Sequence, residues 1–246
     1  MIGRRGIIGG LLGGLVAGCS KVAQSGPGAS LLATVEDWNR SVQRALTKRT
    51  ALAREFSVAD ISPVFRGNGT TDPGTLAYAA HAASDFAEWR LAVDGLVERP
   101  LALSLAQLKA LKQRTQITRH DCVEGWSAIG EWTGVPLGDL LRAAGLRAEA
   151  KFVVFHCADL LGGVPYYESI DLIDALHPQT IVAHTLNGAP LPVKNGAPLR
   201  MRIERQLGYK HAKYVERIEA VASLVGIGKG KGGYWEDRGY QWFAGI

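Results

Sequence analysis

The sequence is poor in cysteine: its 246 residues include three, Cys19, Cys122 and Cys157. No two of these thiols have the spacing of a zinc site, and no Cys-x-x-Cys-His pattern for haem attachment is present. The odd count does not favour a disulfide framework, although a bond between Cys122 and Cys157 is one alternative in an oxidising compartment. Each thiol therefore needs an explanation of its own.

Sequence signals of nucleic-acid binding and of membrane spans are also missing. No stripe of Lys and Arg residues interleaved with aromatic residues is present, and the formal net charge is only +5, so nucleic acid is not favoured as a partner. No long hydrophobic run follows the first 18 residues. With 47% hydrophobic and 21% charged residues, the chain has the composition of one globular domain with a full core.

The first 18 residues resemble an export signal. Arg4-Arg5 precedes a short, Gly-rich apolar run that is too weakly hydrophobic to span a bilayer, which favours a twin-arginine signal over an ordinary secretory one. Val16-Ala17-Gly18-Cys19 resembles a lipoprotein cleavage box, with an ordinary cleavage site before a cysteine as the alternative. The sequence thus predicts a periplasmic or cell-envelope protein that contacts the membrane only through a lipid anchor at Cys19.

Behind this signal the sequence predicts two further parts. Residues 19–60 are expected to form a tether and an amphipathic helix, because apolar residues from Val35 to Phe56 have helical spacing and Thr34 is a suitable N-cap. Residues 61–246 are expected to form the folded domain. Its predicted strands and helices do not alternate regularly, which indicates an α+β fold with a mixed sheet.

Cys122 is the primary candidate for chemistry. The alternation of side chains from Thr115 to His120 predicts a strand that ends just before Cys122, where the chain turns into a polar loop. A thiolate at a strand end that faces a pocket is both a strong nucleophile and a ligand for soft metals. The alternative is a buried, unreactive cysteine.

Two motifs in this order resemble the sulfite oxidase-like molybdopterin oxidoreductases. The first is Arg119-His-Asp-Cys-Val-Glu-Gly-Trp-Ser127, and the second, Leu186 to Arg200, contains Asn-Gly-Ala-Pro twice. The resemblance extends over residues 86–214 and is strongest to the catalytic subunits of periplasmic methionine sulfoxide reductases. It implies a molybdopterin-binding domain of the sulfite oxidase type without a C-terminal dimerisation domain, a molybdenum-molybdopterin cofactor, and export in the folded state.

The same resemblance assigns roles to the loop after the first strand. Cys122 would be the single protein sulfur ligand to molybdenum, and Glu124 and Trp126 would be catalytic residues at positions where sulfite oxidases carry arginines. An acid and an indole disfavour a small dianion as substrate. His120 and Asp121 depart from the reductase pattern, and His120 is either a hydrogen-bond donor behind the site or a polar residue satisfied within its strand.

The phosphate-bearing tail of the pterin requires cationic and amide donors. The positions that match the family's cofactor contacts are Asn68, Cys157, Asn195, Arg200, His211, Ala212 and Lys213. The alternatives are a surface turn for Asn68, packing for Cys157, a surface salt bridge for Arg200, and a role for Lys210 in place of Lys213.

Together these features predict an exported enzyme that moves one oxygen atom in a two-electron reaction. The expected substrate is a small S-oxide or N-oxide, and the expected electron donor is a separate protein, by resemblance a membrane haem protein. Three alternatives stay open: oxidation of sulfite or another sulfur oxyanion on the same fold, a Cys-His hydrolase using Cys122 and His120, and a metal-free surface lipoprotein that binds partners through its aromatic tail, residues 234–240.

Overall fold

A computed structural model describes residues 26–246, with side chains from Thr34 onward except that of Asp37. The predicted export signal and Cys19 lie outside the described residues. The chain divides into two compact units, Met1–Lys48 and Arg49–Ile246. Within the described range, no helix combines the length and the apolar character that crossing a bilayer requires.

The described part of the first unit forms a helix, α1, which spans Gly26–Leu46. The prediction of a helix here is confirmed, but its predicted bounds were wrong: Thr34 lies inside α1 rather than at its N-cap. The spacing of the apolar residues indicated which face of the helix is apolar, but it did not indicate where the helix begins and ends. Phe56, counted in the same stripe, belongs to the second unit, where its amide donates to Ile117 O.

The second unit contains two sheets. In the first, the strand order is β2-β1-β10-β5-β6, and in the second it is β3-β4-β7-β8, with β9 also paired to β7. Among the described strands, β1 and β10 run parallel and the other pairs are antiparallel. The strands are β1 Arg90–Gly95, β2 Leu101–Ser104, β3 Arg114–Asp121, β4 Ser127–Pro136, β5 Phe152–Leu161, β6 Val164–Asp171, β7 Thr180–Leu186, β8 Ala189–Pro190, β9 Arg200–Ile203 and β10 Val215–Val221. The predicted α+β class and mixed sheet are confirmed.

The second unit also contains four short α-helices: α2 Leu76–Ala83, which precedes β1, and α3 Leu105–Ala110, α4 Leu137–Ala144 and α5 Leu172–Ala175, which lie between strands. Residues 104–107 have the sequence pattern of a capping box, and the box is present, because Ser104 Oγ accepts from the Gln107 amide and Gln107 Oε1 accepts from the Ser104 amide. Gly145 ends α4 in the left-handed conformation at φ 73°. Both signals are local, so the sequence alone was sufficient to find them.

Strand β6 is one of several strands that were not predicted from the sequence, together with β2, β4 and β8. The run from Ile170 to Leu176 indicated a helix, yet Val164–Asp171 forms β6 and only Leu172–Ala175 is helical. A turn at Gly162 and Gly163, both with positive φ, folds β6 back on β5. Asp171 then accepts from the Asp174 amide and starts the short helix.

Strand β9 positions an unusual pair of charges. Its apolar residues, Met201 and Ile203, and Leu199 directly before the strand belong to the large core cluster that both sheets share with α3 and α4. The alternation of the strand sends Arg200 and Arg202 to its other face, where both are fully buried and lie over the Trp132 ring at 5.5 and 4.5 Å. A strand with two buried guanidinium groups requires partners for them.

Candidate functional site

A cavity of about 110 Å³ opens in the second unit, where segments distant in the chain meet. The loop before α2, the loop after β3, the end of β5, the segment before β10 and the C-terminal segment contribute to its wall. The lining residues are Asn68, Gly69, Thr70, Cys122, Val123, Glu124, Asp159, Leu161, Tyr166, Gly208, Tyr209, His211, Lys213, Trp235 and Tyr240. Cys122, Glu124, Asn68, His211 and Lys213 were predicted as site residues, and the fold brings them together.

Cys122 stands at the first position after β3, as the sequence predicted. Its amide donates to Trp126 O at 2.9 Å, and the Gly125 amide donates to Cys122 O at 3.0 Å. This tight turn uses Gly125 at φ 85°, a conformation that costs glycine little. Burial raises the pKa of the Cys122 thiol. A cation at the sulfur would reverse this shift, as metal coordination does for thiols.

The geometry does not support the cysteine-histidine hydrolase. The Cys122 and Cys157 thiols are both free, so no disulfide joins them. His120 Nδ1 accepts a hydrogen bond from Arg202 Nη1 at 3.1 Å instead of activating the thiol. Burial lowers the pKa of His120 well below its usual value, which keeps the ring neutral. A Cβ at Gly208 would lie 2.4 Å from His120 Cε1, so glycine is required there to admit the ring.

Glu124 and Trp126 take different positions at the site. Glu124 lines the cavity, and its carboxylate accepts a hydrogen bond from Trp126 Nε1 at 3.0 Å. Trp126 lies behind that wall, 5.5 Å from the His120 ring and against the small core cluster around Phe65 and Trp132. Trp126 thus fixes the Glu124 carboxylate, and the predicted catalytic role of each residue stays a prediction.

Arg200 is a buried cation with unused hydrogen-bond donors. Its Nη1 donates to Asn195 O at 3.3 Å, whereas Nε and Nη2 have no partner within the described part of the chain. Burial and the neighbouring Arg202 lower the pKa of Arg200 to about 9. A buried cation with free donors is unfavourable unless an anion compensates it. Its charge acts on Cys122 and Lys213, both of which line the cavity.

Lys213 clamps the loop that carries Asn68. Its ammonium donates to the backbone carbonyls of Asn68, Thr70 and Lys194. Burial, assisted by the charge of Arg200, lowers the pKa of Lys213 to about 7. The Asn68 Oδ1 atom has no partner among the residues that the structure describes. The loop therefore presents a free polar group to the cavity while the lysine holds its backbone.

His211 completes the polar wall. Its Nε2 lies 3.0 Å from Ile203 O and 3.1 Å from Gln206 O, so Nε2 carries the proton and donates it. Burial and the two β9 arginines hold the pKa of His211 well below its usual value. Its Nδ1 has no partner in the described range and is free to accept a hydrogen bond from a ligand.

Four predicted contacts lie outside the cavity lining: Arg200, described above, and three further residues. Asn195 is buried, and its amide nitrogen donates to Arg66 O at 3.3 Å. Ala212 already uses both backbone groups, donating to Lys210 O and accepting from the Met201 amide. Cys157 pairs with Val215 across β5 and β10. Any cofactor contact by these three residues stays a prediction.

The sequence interpretation missed the aromatic part of the wall. Tyr166, Tyr209, Trp235 and Tyr240 all line the cavity, as does the carboxyl group of Asp159. Within the aromatic tail, Trp235 packs edge-on against Tyr234 at 5.3 Å. The tail lies over the cavity because of contacts with residues distant in the chain, and no local sequence pattern predicts such contacts.

Comparisons with known proteins agree with this geometry. The family model "Oxidoreductase molybdopterin binding domain" matches residues 78–224. A putative protein-methionine-sulfoxide reductase subunit, YedZ1, of Azospira oryzae is 40% identical over 95% of this chain and 84% of its own length. The protein-methionine-sulfoxide reductase catalytic subunit MsrP of Xanthomonas campestris is 37% identical over 64% of this chain and 51% of its own. That of Gluconobacter oxydans is 35% identical over 62% and 52%.

A solved structure shows the same fold. The sulfane dehydrogenase SoxCD from Paracoccus pantotrophus aligns with a TM-score of 0.51 at 24% identity, covering 56% of this chain and 39% of that one. The chain spans about half the length of the MsrP relatives. It belongs to the oxidoreductase molybdopterin-binding domain family. It is therefore a molybdopterin-dependent oxidoreductase, which confirms the predicted family, enzyme class and cofactor.

The described residues fit that cofactor. Arg200 offers unpaired donors for an anion, Asn68 and His211 offer acceptors for amine hydrogens of a pterin, and Cys122 offers a thiol for a soft metal. These groups come from four separate segments. Asn68, Cys122 and His211 line the cavity, whereas Arg200 lies outside its lining and its charge acts on the lining residues Cys122 and Lys213. Buried polar atoms without partners are suited to contacts with a polar ligand.

Replacing Lys213 by methionine is expected to loosen the cofactor and the Asn68 loop together. The change removes charge-assisted hydrogen bonds that contribute about 1.5–3 kcal/mol each when buried. Amide hydrogen exchange should accelerate in residues 66–71, and molybdenum content should fall. Lys194→Met is the matched control, because its side chain is exposed while its backbone carbonyl is kept. Unchanged exchange in the Lys213 variant would contradict the clamp.

Proposed function

We propose that this enzyme reduces a small S-oxide or N-oxide by two-electron oxygen-atom transfer in the cell envelope. The observation that carries the proposal is the composition of the wall beside Cys122. Glu124 and aromatic side chains line it, and within the described part of the chain no arginine does. A carboxylate repels a dianion such as sulfite, whereas aromatic faces suit a neutral S-oxide. The names of the relatives, protein-methionine-sulfoxide reductases, support the same substrate class.

Each residue has a defined task in this proposal. The bound cofactor supplies a two-electron redox centre for oxygen-atom exchange. The Cys122 thiolate would be the sulfur ligand that the protein supplies to the metal of the cofactor, because thiolates bind soft metals well. Arg200, Lys213, Asn68 and His211 hold the polar parts of the cofactor, and Glu124, fixed by Trp126 Nε1, selects against anionic substrates.

We also propose that residues 1–18 direct export, with a twin-arginine signal at Arg4-Arg5, and that Cys19 is lipidated. Reduction of an S-oxide to the sulfide consumes two electrons and two protons and releases water. We assign the electrons to a separate membrane haem protein, because the sequence carries no haem-attachment pattern. The relative from Azospira oryzae is named as a subunit, which supports a separate partner.

The remaining alternatives differ in their support. Family membership argues against a metal-free binding lipoprotein and against a cysteine hydrolase. Sulfite oxidation on the same fold is the second candidate. The likeness to a sulfane dehydrogenase shows the fold alone, and the wall beside Cys122 does not favour this reaction.

Assaying one preparation in both directions tests the proposal. Reduced viologen with methionine sulfoxide or an N-oxide is compared with sulfite and a one-electron acceptor, at matched concentrations and known molybdenum content. We expect S-oxide or N-oxide reduction to be faster, because Glu124 disfavours sulfite binding. Assays without enzyme provide the blank in both directions. Faster sulfite turnover would overturn the proposed direction and substrate.

A further inference from the structure

The C-terminal segment folds over the cavity and gives it an aromatic wall, defined here as Tyr209, Trp235 and Tyr240. The Trp235 and Tyr240 rings are 5.2 Å apart with an interplanar angle of 31°. Tyr240 meets Tyr209 edge-on at 5.3 Å. All three line the same cavity as Cys122. The family model ends at residue 224, so two of these three residues lie beyond the matched domain.

A buried triad of Glu168, Lys210 and Glu236 anchors this wall. Lys210 Nζ donates to Glu168 Oε1 and to Glu236 Oε1, each at 2.5 Å, and the three side chains are at most 1% exposed. Lys210 directly follows Tyr209, and Glu236 directly follows Trp235. The ion pair between Lys210 and Glu236 therefore positions two aromatic residues of the wall, Tyr209 and Trp235.

Additional hydrogen bonds fix the third ring. The Tyr240 amide donates to Trp235 O at 3.0 Å, and the Tyr209 hydroxyl donates to Gln241 O at 2.7 Å. Buried ion clusters contribute little net stability but constrain geometry strongly, because a misplaced charge is left uncompensated. The wall is thus preorganised before a substrate arrives, which reduces the entropy lost on binding.

An aromatic surface selects among substrates by its charge distribution. The faces of the rings are electron-rich and attract electron-poor groups. In an S-oxide, the polar sulfur-oxygen bond makes the sulfur and its methyl group electron-poor, whereas the same faces repel an oxyanion. The aromatic wall therefore fits the alkyl side of a neutral S-oxide while its oxygen is directed elsewhere in the cavity.

We propose that Trp235 and Tyr240 determine the substrate preference by holding the alkyl group of the S-oxide, and that the Glu168–Lys210–Glu236 triad positions them. This inference rests on the proposed function. Trp235 and Tyr240 contact substrate, whereas the triad acts only through the wall that it anchors.

The test compares variants by KM, kcat and equilibrium binding in the molybdenum-loaded enzyme. Trp235→Leu and Tyr240→Leu should raise KM for methyl phenyl sulfoxide about tenfold with little change in kcat, while Trp235→Phe restores the wild-type value. Binding of methyl phenyl sulfone, measured by calorimetry as a readout independent of turnover, should weaken by a similar factor. Molybdenum content should stay unchanged. Trp38→Leu, on an exposed residue of α1, is the tryptophan control.

The triad is tested with Glu236→Gln, which keeps the size of the side chain and removes its charge. We expect a higher KM with molybdenum content preserved. Unchanged KM and sulfone binding in both leucine variants, in an enzyme that reduces S-oxides, would overturn this inference alone. Wild-type enzyme that oxidises sulfite but reduces no S-oxide would instead overturn the proposed function.

Discussion

Replacing Cys122 by serine is expected to reduce turnover of every substrate to the blank, whereas Cys157→Ser should keep most of the activity. Cys122 lines the cavity at the end of β3, and a serine hydroxyl is a harder and weaker donor than a thiolate toward a soft metal. Turnover is measured per molybdenum atom, so that loss of metal and loss of reactivity are separated. X-ray absorption at the molybdenum edge should show one sulfur neighbour fewer in the Cys122 variant.

Cys157 is the internal control for this substitution. Its side chain is on β5, outside the cavity lining, and burial raises the pKa of its thiol well above the usual value. Serine there should alter packing rather than chemistry. Full turnover by the Cys122→Ser protein would contradict the ligand assignment, and equal losses in both variants would indicate a shared structural effect.

The part of the site that the sequence predicted depends on local patterns. The alternating run before Cys122 marked β3, and the turn at Gly125 follows from the polar loop behind it. The Ser104 capping box and the Gly145 stop are likewise set by neighbours within a few residues. Such signals do not depend on where the rest of the chain goes, so sequence reasoning identifies them reliably.

The missed features depend on partners distant in the chain. The sequence left Arg200 as either a cofactor contact or a surface salt bridge, and no pattern in it indicated that Arg200 and Arg202 are both buried. Arg202 is compensated by Glu204, two residues away, and by His120, which β3 brings from the opposite side of the sheet. The aromatic wall similarly depends on Lys210 meeting Glu236. Residue spacing contains no information about such pairings.

Replacing Arg200 by methionine is expected to stabilise the cofactor-free protein while removing most of the cofactor. Arg200 is fully buried with Nε and Nη2 unpaired among the described residues, and each unsatisfied buried donor costs about 1–3 kcal/mol. Its pKa of about 9 lies below the usual range, so the charge that it carries at neutral pH is destabilising in the folded state. Methionine fills similar volume without donors. Chemical denaturation measures the first effect, and molybdenum and pterin content measure the second.

Arg202→Met should give the opposite result, which makes the two neighbours on β9 a matched pair. Arg202 donates to both oxygens of Glu204 at 2.9 and 2.6 Å and to His120 Nδ1 at 3.1 Å. Its removal leaves the buried Glu204 charge without its main partner, so the free energy of unfolding should fall by about 3–5 kcal/mol. The folded fraction should still hold cofactor, because the donors of Arg200 are intact. The contrary result is that Arg200→Met destabilises the cofactor-free protein as much as Arg202→Met does. That result would show that the Arg200 guanidinium stabilises the fold and that other groups bind the anion of the cofactor.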